Sequence, residues 1–144
     1  MLGRPYLLEG TIRRGDQLGR TIGTPTANLE DVGQLLPHFG IYAGYVWLAP
    51  KADSRPPVTA TPQDAVPAVF SIGIRPTLDS ARPPVRIEAH LLEGSYGPDE
   101  LYGRRAGYYL TDRIRDEEKL SGLGELKLWI ARDIKEAKRL LRLS

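Results

Sequence analysis

Residues Gly40–Leu48 read GIYAGYVWL, a stretch in which Ile, Val, Trp and two Tyr crowd together without a charge. β-Branched and aromatic side chains suit a pleated, half-buried surface, and the length is that of a strand. Similar runs lie on either side: Tyr6–Ile12 before it, then Ala65–Ile72 (AVPAVFSI), Val85–Leu92 (VRIEAHLL) and Ala106–Leu110 after it. The 15 glycines and 12 prolines cut these runs apart, and strands do not alternate with helices. The pattern predicts an all-β antiparallel sheet or barrel and argues against a doubly wound α/β sheet.

Only the C-terminus departs from it. From Glu125 to Arg142, apolar residues fall at Leu126, Trp129, Ile130, Ile134, Ala137 and Leu141, spacings of three and four that predict one amphipathic helix over 125–142. Lys127, Arg132, Asp133, Lys135, Glu136 and Arg139 fall mostly off that stripe, so the helix packs against the sheet and closes part of it. Pro50–Pro67 (PKADSRPPVTATPQDAVP) reads as a long mobile connection between two strands, because neither flank makes a complete domain. Glu93–Glu100 (EGSYGPDE) is a shorter, turn-like loop. Residues 1–144 are therefore expected to form a single domain.

Composition narrows the function. A formal net charge of +2, with basic and acidic residues interspersed, permits an anionic ligand but does not call for nucleic acid. The absence of cysteine rules out disulfides, thiolate metal sites and cysteine nucleophiles. No apolar run approaches the ~20 residues of a membrane span, and MLGRPYLLEG lacks the layout of a signal peptide. A cytoplasmic protein without a membrane partner is the expectation.

Two stretches can carry chemistry. Gly10–Leu29, GTIRRGDQLGRTIGTPTANL, holds Gly10, Gly15, Gly19 and Gly23, and Arg20 follows the third of them. Glycines let a backbone approach a polyphosphate and expose N–H groups to it, and Arg20 can add a planar charged contact. A hairpin with glycine turns explains the same residues. It is not a Walker A loop, since three residues separate Gly15 from Gly19 and Arg stands where Lys should. Within Pro25-Thr26-Ala27-Asn28, an extended backbone points Thr26 and Asn28 to one side, where two neutral oxygens converge as suits Mg²⁺ shared with phosphates. An Asx or ST turn is the plain alternative. In Val85–Leu92, alternation puts Arg86, Glu88, His90 and Leu92 on one face, so Glu88 is either a base for a hydroxyl nucleophile or a solvated strand charge. His38 and His90 form no metal-ligand motif.

In combination these residues resemble the riboflavin kinase family nearly end to end. Gly10, Ile12, Gly15, Gly19, Arg20, Gly23 and Pro25–Leu29 come first, then Pro37, Gly40, Tyr42, Ala43 and Gly44. Ser71, Gly73, Pro76, Thr77, Glu88-x-His90-Leu-Leu, Leu101-Tyr102-Gly103 and Ile114-Arg115 through Glu118 follow in the family's order. The resemblance implies a six-stranded antiparallel Greek-key barrel with a C-terminal helix, and transfer of the γ-phosphate of MgATP to the 5′-hydroxyl of riboflavin, giving FMN. It implies that Thr26 and Asn28 hold Mg²⁺ (Zn²⁺ or Mn²⁺ being the alternatives) and phosphates, that Gly15–Gly23 with Arg20 covers ATP, and that Glu88 is the base. Arg115, in the loop before the helix, would lie on the flavin side.

Three departures stand out: Thr24 occupies a position usually bulky and apolar, Gly122 and Gly124 loosen the helix start, and the 50–67 connection is long. LGRPYLLEG looks like the junction of bacterial bifunctional FAD synthetases, so an adenylyltransferase module is a partner if the chain is excised from such a protein. A non-catalytic flavin- or nucleotide-binding barrel, another MgATP-dependent transferase and an OB-like nucleic-acid binder are the competing readings. The last is disfavoured because basic residues do not interleave with aromatics on the strands.

Overall fold

The computed structural model describes residues 6–13, 26–30, 32–33, 35–49, 65–74, 85–93, 101–116 and 123–142. Outside this set lie the glycine-rich residues 14–25, residues 50–64 of the long connection, and the side chains of Thr26 and of residues 123–127.

Six strands are present: β1 (Tyr6–Arg13), β2 (Thr26–Glu30), β3 (Gly40–Leu48), β4 (Val66–Ile74), β5 (Val85–Leu91) and β6 (Arg105–Arg115). They close into an antiparallel barrel in the order β1–β2–β5–β4–β3–β6, with β6 pairing back onto β1. β2 and β3 are consecutive in sequence but are not neighbours, which makes the topology a Greek key. β2 has no apolar run of its own and is the strand that hydrophobic patterning alone does not reveal. β4 takes in Val66 and Pro67, so the long connection ends two residues sooner than its composition suggests.

Period-two alternation fills the barrel. Leu8 and Ile12 of β1, Leu29 of β2, Val46 of β3, Phe70 and Ile72 of β4, Ala89 of β5, and Tyr108 and Leu110 of β6 all point into one core. The Phe70 and Tyr108 rings meet there at 5.0 Å between centroids, tilted by 44°. Gly44 takes an inward position between Tyr42 and Val46, and a Cβ on it would overlap the carbonyl oxygen of Tyr109. Only glycine lets the β3 and β6 backbones come so close.

β6 runs well past the expected Ala106–Leu110, and two bulges interrupt its pairing with β3. The register shifts between Ala43 and Gly44 and again between Ile41 and Tyr42, leaving Thr111 and Ile114 as extra residues. Each bulge resets the alternation, so Asp112 pairs with Ala43 and Arg115 with Ile41 on the outer face.

The helix, α1 (Leu123–Leu140), lies against that outer face. Ala137, fully buried, and Ile134, Leu140 and Leu141 pack on Ile41, Ala43 and Val69. The helix begins two residues before the expected Glu125, with Gly124 in its first turn, where backbone N–H groups lack intrahelical partners in any case. Among the described residues, no helix is long and apolar enough to cross a membrane.

Candidate active site

β5 lies between β2 and β4, and the two registers together build a cross-strand row. Glu88 stands directly between Asn28 of β2 and Ser71 of β4, and His90 stands between Thr26 and Val69. Because Ile87, Ala89 and Leu91 face the core, Arg86, Glu88 and His90 face outward. On an uncovered wall such groups would be solvated. Here Glu88 and His90 are each 7% exposed, Asn28 2% and Ser71 8%. Glu88 is therefore not a solvated strand charge.

The buried groups bond within the row. His90 Nε2 lies 3.2 Å from Glu88 Oε1, so with its hydrogen on Nε2 the imidazole is within donor reach of the carboxylate. Arg86 Nη2 donates to Ser71 Oγ at 3.2 Å. From inside the barrel, the Tyr108 hydroxyl donates to the Ala27 carbonyl at 2.6 Å, tying the core to the strand that carries Asn28. Burial, and after it the negative charge of Glu88, hold the Tyr108 phenol well above its usual range, so it stays a protonated donor.

A second buried polar constellation forms where β6 meets α1. Arg115 Nε and Nη2 each donate to one oxygen of Asp133, both at 2.8 Å, and Nη1 donates to the Asp116 carbonyl at 2.9 Å. The Trp129 ring lies under the guanidinium, 4.5 Å from Cζ. Arg115 is the last residue of β6, and so it belongs to a strand end instead of the loop in which the sequence reading put it.

The structure thus brings Asn28 and Glu88 together and puts the Thr26 backbone in register with His90. Gly15, Gly19, Arg20 and Gly23 lie outside the described residues. Arg115 stands at the β6–α1 junction. From the sequence, Ser71 was named only within the family pattern, His90 only as a neighbour of Glu88 on one face, and Asp133 only as a residue off the apolar stripe, so none of the three was given a role. Asp133 was legible by spacing: it falls four residues after Trp129 and four before Ala137, on the buried face of the helix.

Comparison with known proteins agrees with this architecture. The Flavokinase family model, described as riboflavin kinase, matches residues 2–141. The bifunctional riboflavin kinase/FMN adenylyltransferase of Escherichia coli K12 is 38% identical over 133 residues, 92% of this chain and 37% of that protein. The Bacillus subtilis protein of the same name is 35% identical, covering 96% of this chain and 40% of its own length. The chain thus spans well under half the length of these relatives. A solved riboflavin kinase from Trypanosoma brucei shares the fold, with a TM-score of 0.60 and 19% identity over 99% of this chain and 83% of that one. A solved Streptococcus pneumoniae protein, described as a macrolide-efflux protein, superposes with a TM-score of 0.71 and 27% identity, over 95% of this chain and 40% of that one. With the family model matched along almost its whole length, the chain belongs to the riboflavin kinase family.

Proposed function

We propose that the chain is an ATP-dependent riboflavin kinase domain, in which Glu88 takes the proton of the riboflavin 5′-hydroxyl as that oxygen attacks the γ-phosphorus of ATP. The new P–O bond forms on riboflavin as the bond to the β-phosphate oxygen breaks, ADP leaves, and the proton resides on Glu88. One observation carries the reading: Glu88 is a carboxylate only 7% exposed, directly opposite the buried amide of Asn28.

Asn28, with Thr26 two residues before it on the same strand, offers neutral oxygen chemistry, which suits a hard cation shared with phosphates. When bound, Mg²⁺ supplies neutralisation of charge on the transferring phosphoryl group. Thr26 and Asn28 fix where the phosphates lie, and Glu88 aims the hydroxyl. The glycine-rich residues Gly15, Gly19 and Gly23 with Arg20 complete the ATP side in this proposal. Arg115 serves the flavin side: three of its five N–H donors are used in the bonds to Asp133 and Asp116, and its plane is set by Trp129. The adenylyltransferase half of the bifunctional relatives' names is not assigned to this chain.

Incubating the protein with riboflavin and MgATP should yield FMN and ADP in equal amounts. Binding of both ligands without product would replace this reading with that of a non-catalytic flavin-binding barrel.

A further inference from the structure

We propose that His90 is a positioning residue that sets the carboxylate of Glu88 for proton transfer, an inference that rests on the reading of Glu88 as the base. His90 and Glu88 are two residues apart on β5, so their side chains rise from the same outer face, and both are 9% exposed at the side chain.

Three observations give the imidazole this work. First, its Nε2 lies 3.2 Å from Glu88 Oε1, within reach of a charge-assisted bond. Second, its Nδ1 is buried with no hydrogen-bond partner among the described residues, so the contact with Glu88 is its one described polar attachment. With Nε2 carrying the hydrogen, the neutral tautomer leaves only an acceptor at Nδ1. Third, the strand presses His90 against apolar neighbours. Val69 stands directly opposite it on β4, and Leu92 follows two residues along the same face. Both belong to the cluster that α1 packs against. The ring therefore sits at the border between the helix-covered apolar wall and the polar row, with packing on one side and the carboxylate on the other.

A glutamate has three side-chain torsions, and on a barrel wall only a fixed set aims it at a substrate hydroxyl. Small errors of aim are expensive, since about 1 Å of misplacement can cost on the order of 10²-fold in rate. A donor held by packing and bonded to one carboxylate oxygen removes that freedom. His90 need not touch substrate to do so.

The test is a double-mutant cycle on turnover, with thermal melting of each variant to establish that it folds. His90→Phe keeps a ring of similar breadth without the donor, and should lower kcat by roughly tenfold or more while KM for ATP and for riboflavin each move by less than about threefold. His90→Gln puts an amide N–H near the place of Nε2, and should restore kcat to within about threefold of the parent. In a Glu88→Gln background, where proton acceptance is already lost, His90→Phe should cost no more than about a further twofold. Parent-like kcat in His90→Phe, beside a disabled Glu88→Gln, would overturn the positioning role alone. So would a His90→Phe loss that multiplies in full onto that of Glu88→Gln, because a residue acting through Glu88 cannot do that. A parent-like Glu88→Gln would instead remove the base reading, and the role of His90 with it.

Discussion

Two buried polar constellations lie on the outer wall of this barrel, and they are built differently. At the β6–α1 junction, Arg115 and Asp133 face each other through two 2.8 Å bonds with Trp129 stacked beneath. Each of the three guanidinium nitrogens has a protein acceptor, and an arginine has no proton to exchange in the working pH range. That is a latch, which docks a helix on a wall already apolar at Ile41, Ala43 and Val69. On β2–β5–β4 the groups are a carboxylate, an imidazole, an amide, a hydroxyl and the Arg86 guanidinium, and the first two can take up or give away a proton. Burial alone does not mark a site of proton transfer. What distinguishes the second constellation is a carboxylate with an imidazole beside it, opposite the buried Asn28 amide.

The sharpest way to break this contrast is Glu88→Gln. The amide keeps the shape and an acceptor but cannot take the proton, so kcat should fall by roughly 10²-fold or more. Riboflavin and ATP affinities, measured by calorimetry beside FMN-formation kinetics, should change only modestly. Loss of both ligands together would make Glu88 a structural member of the row, like Asp133 in the latch.

Thr26→Ala and Asn28→Ala come next. Each should depress turnover by at least about tenfold, through lost positioning of the phosphates. The deficit should be deepest at limiting Mg²⁺ in a metal titration. A parent-like rate at limiting Mg²⁺ in either variant would withdraw that residue from the metal site.

Asp133→Ala addresses the other constellation. Removing one partner of a buried pair leaves the other charge uncompensated, and with Arg115 19% exposed at the side chain the cost should be about 2 kcal/mol. For a chain of this size that lowers Tm by roughly 5–10 °C. Because Asp133 also holds the guanidinium proposed for the flavin side, KM for riboflavin should rise. The latch is separate from the proton-transfer row, so kcat below the melting range should stay within a few-fold of the parent. An Asp133→Ala protein with intact Tm but kcat down by 10²-fold would erase the division between latch and chemistry.

How much of this was legible in sequence depends on how local the cause is. β5 was plain, because Val85, Ile87, Ala89 and Leu91 alternate cleanly with Arg86, Glu88 and His90. β6 was cut short at Leu110 because the bulges at Thr111 and Ile114 break the period of two on which strand reading depends. β2 carries only five residues, TANLE, and came from family resemblance alone. The pairing of Thr26-Ala-Asn28 with β5 joins segments some sixty residues apart, so no local signal could supply it. Nor does any local pattern bury Glu88, whereas the spacing of Asp133 from Trp129 and Ala137 already put it on the buried face of the helix. A charged side chain on an outward face reads as solvated until the fold shows what lies against it.

The smallest effect expected is from the long connection, where residues 50–64 lie outside the described set. Its two ends are close in the fold. Val46 pairs with Val66 across β3 and β4, and Ala49 and Ala65, at the borders of the connection, are buried at 4% and 7%. Ala49 is also pinned from both sides, its N–H donating to the Arg105 carbonyl at 2.9 Å and its carbonyl accepting from Arg104 Nη2 at 2.9 Å. Neighbouring antiparallel strands need only a short turn to join them. Replacing 50–64 with about five Gly/Ser residues should therefore preserve the barrel and leave kcat within about twofold. Closing a loop one-third as long should gain roughly 0.5–1 kcal/mol, since closure entropy grows only with the logarithm of length. Thermal melting and FMN-formation kinetics on the same variant read both quantities. A tenfold loss of activity with Tm unchanged would make the connection a substrate-covering segment that works beside the polar row.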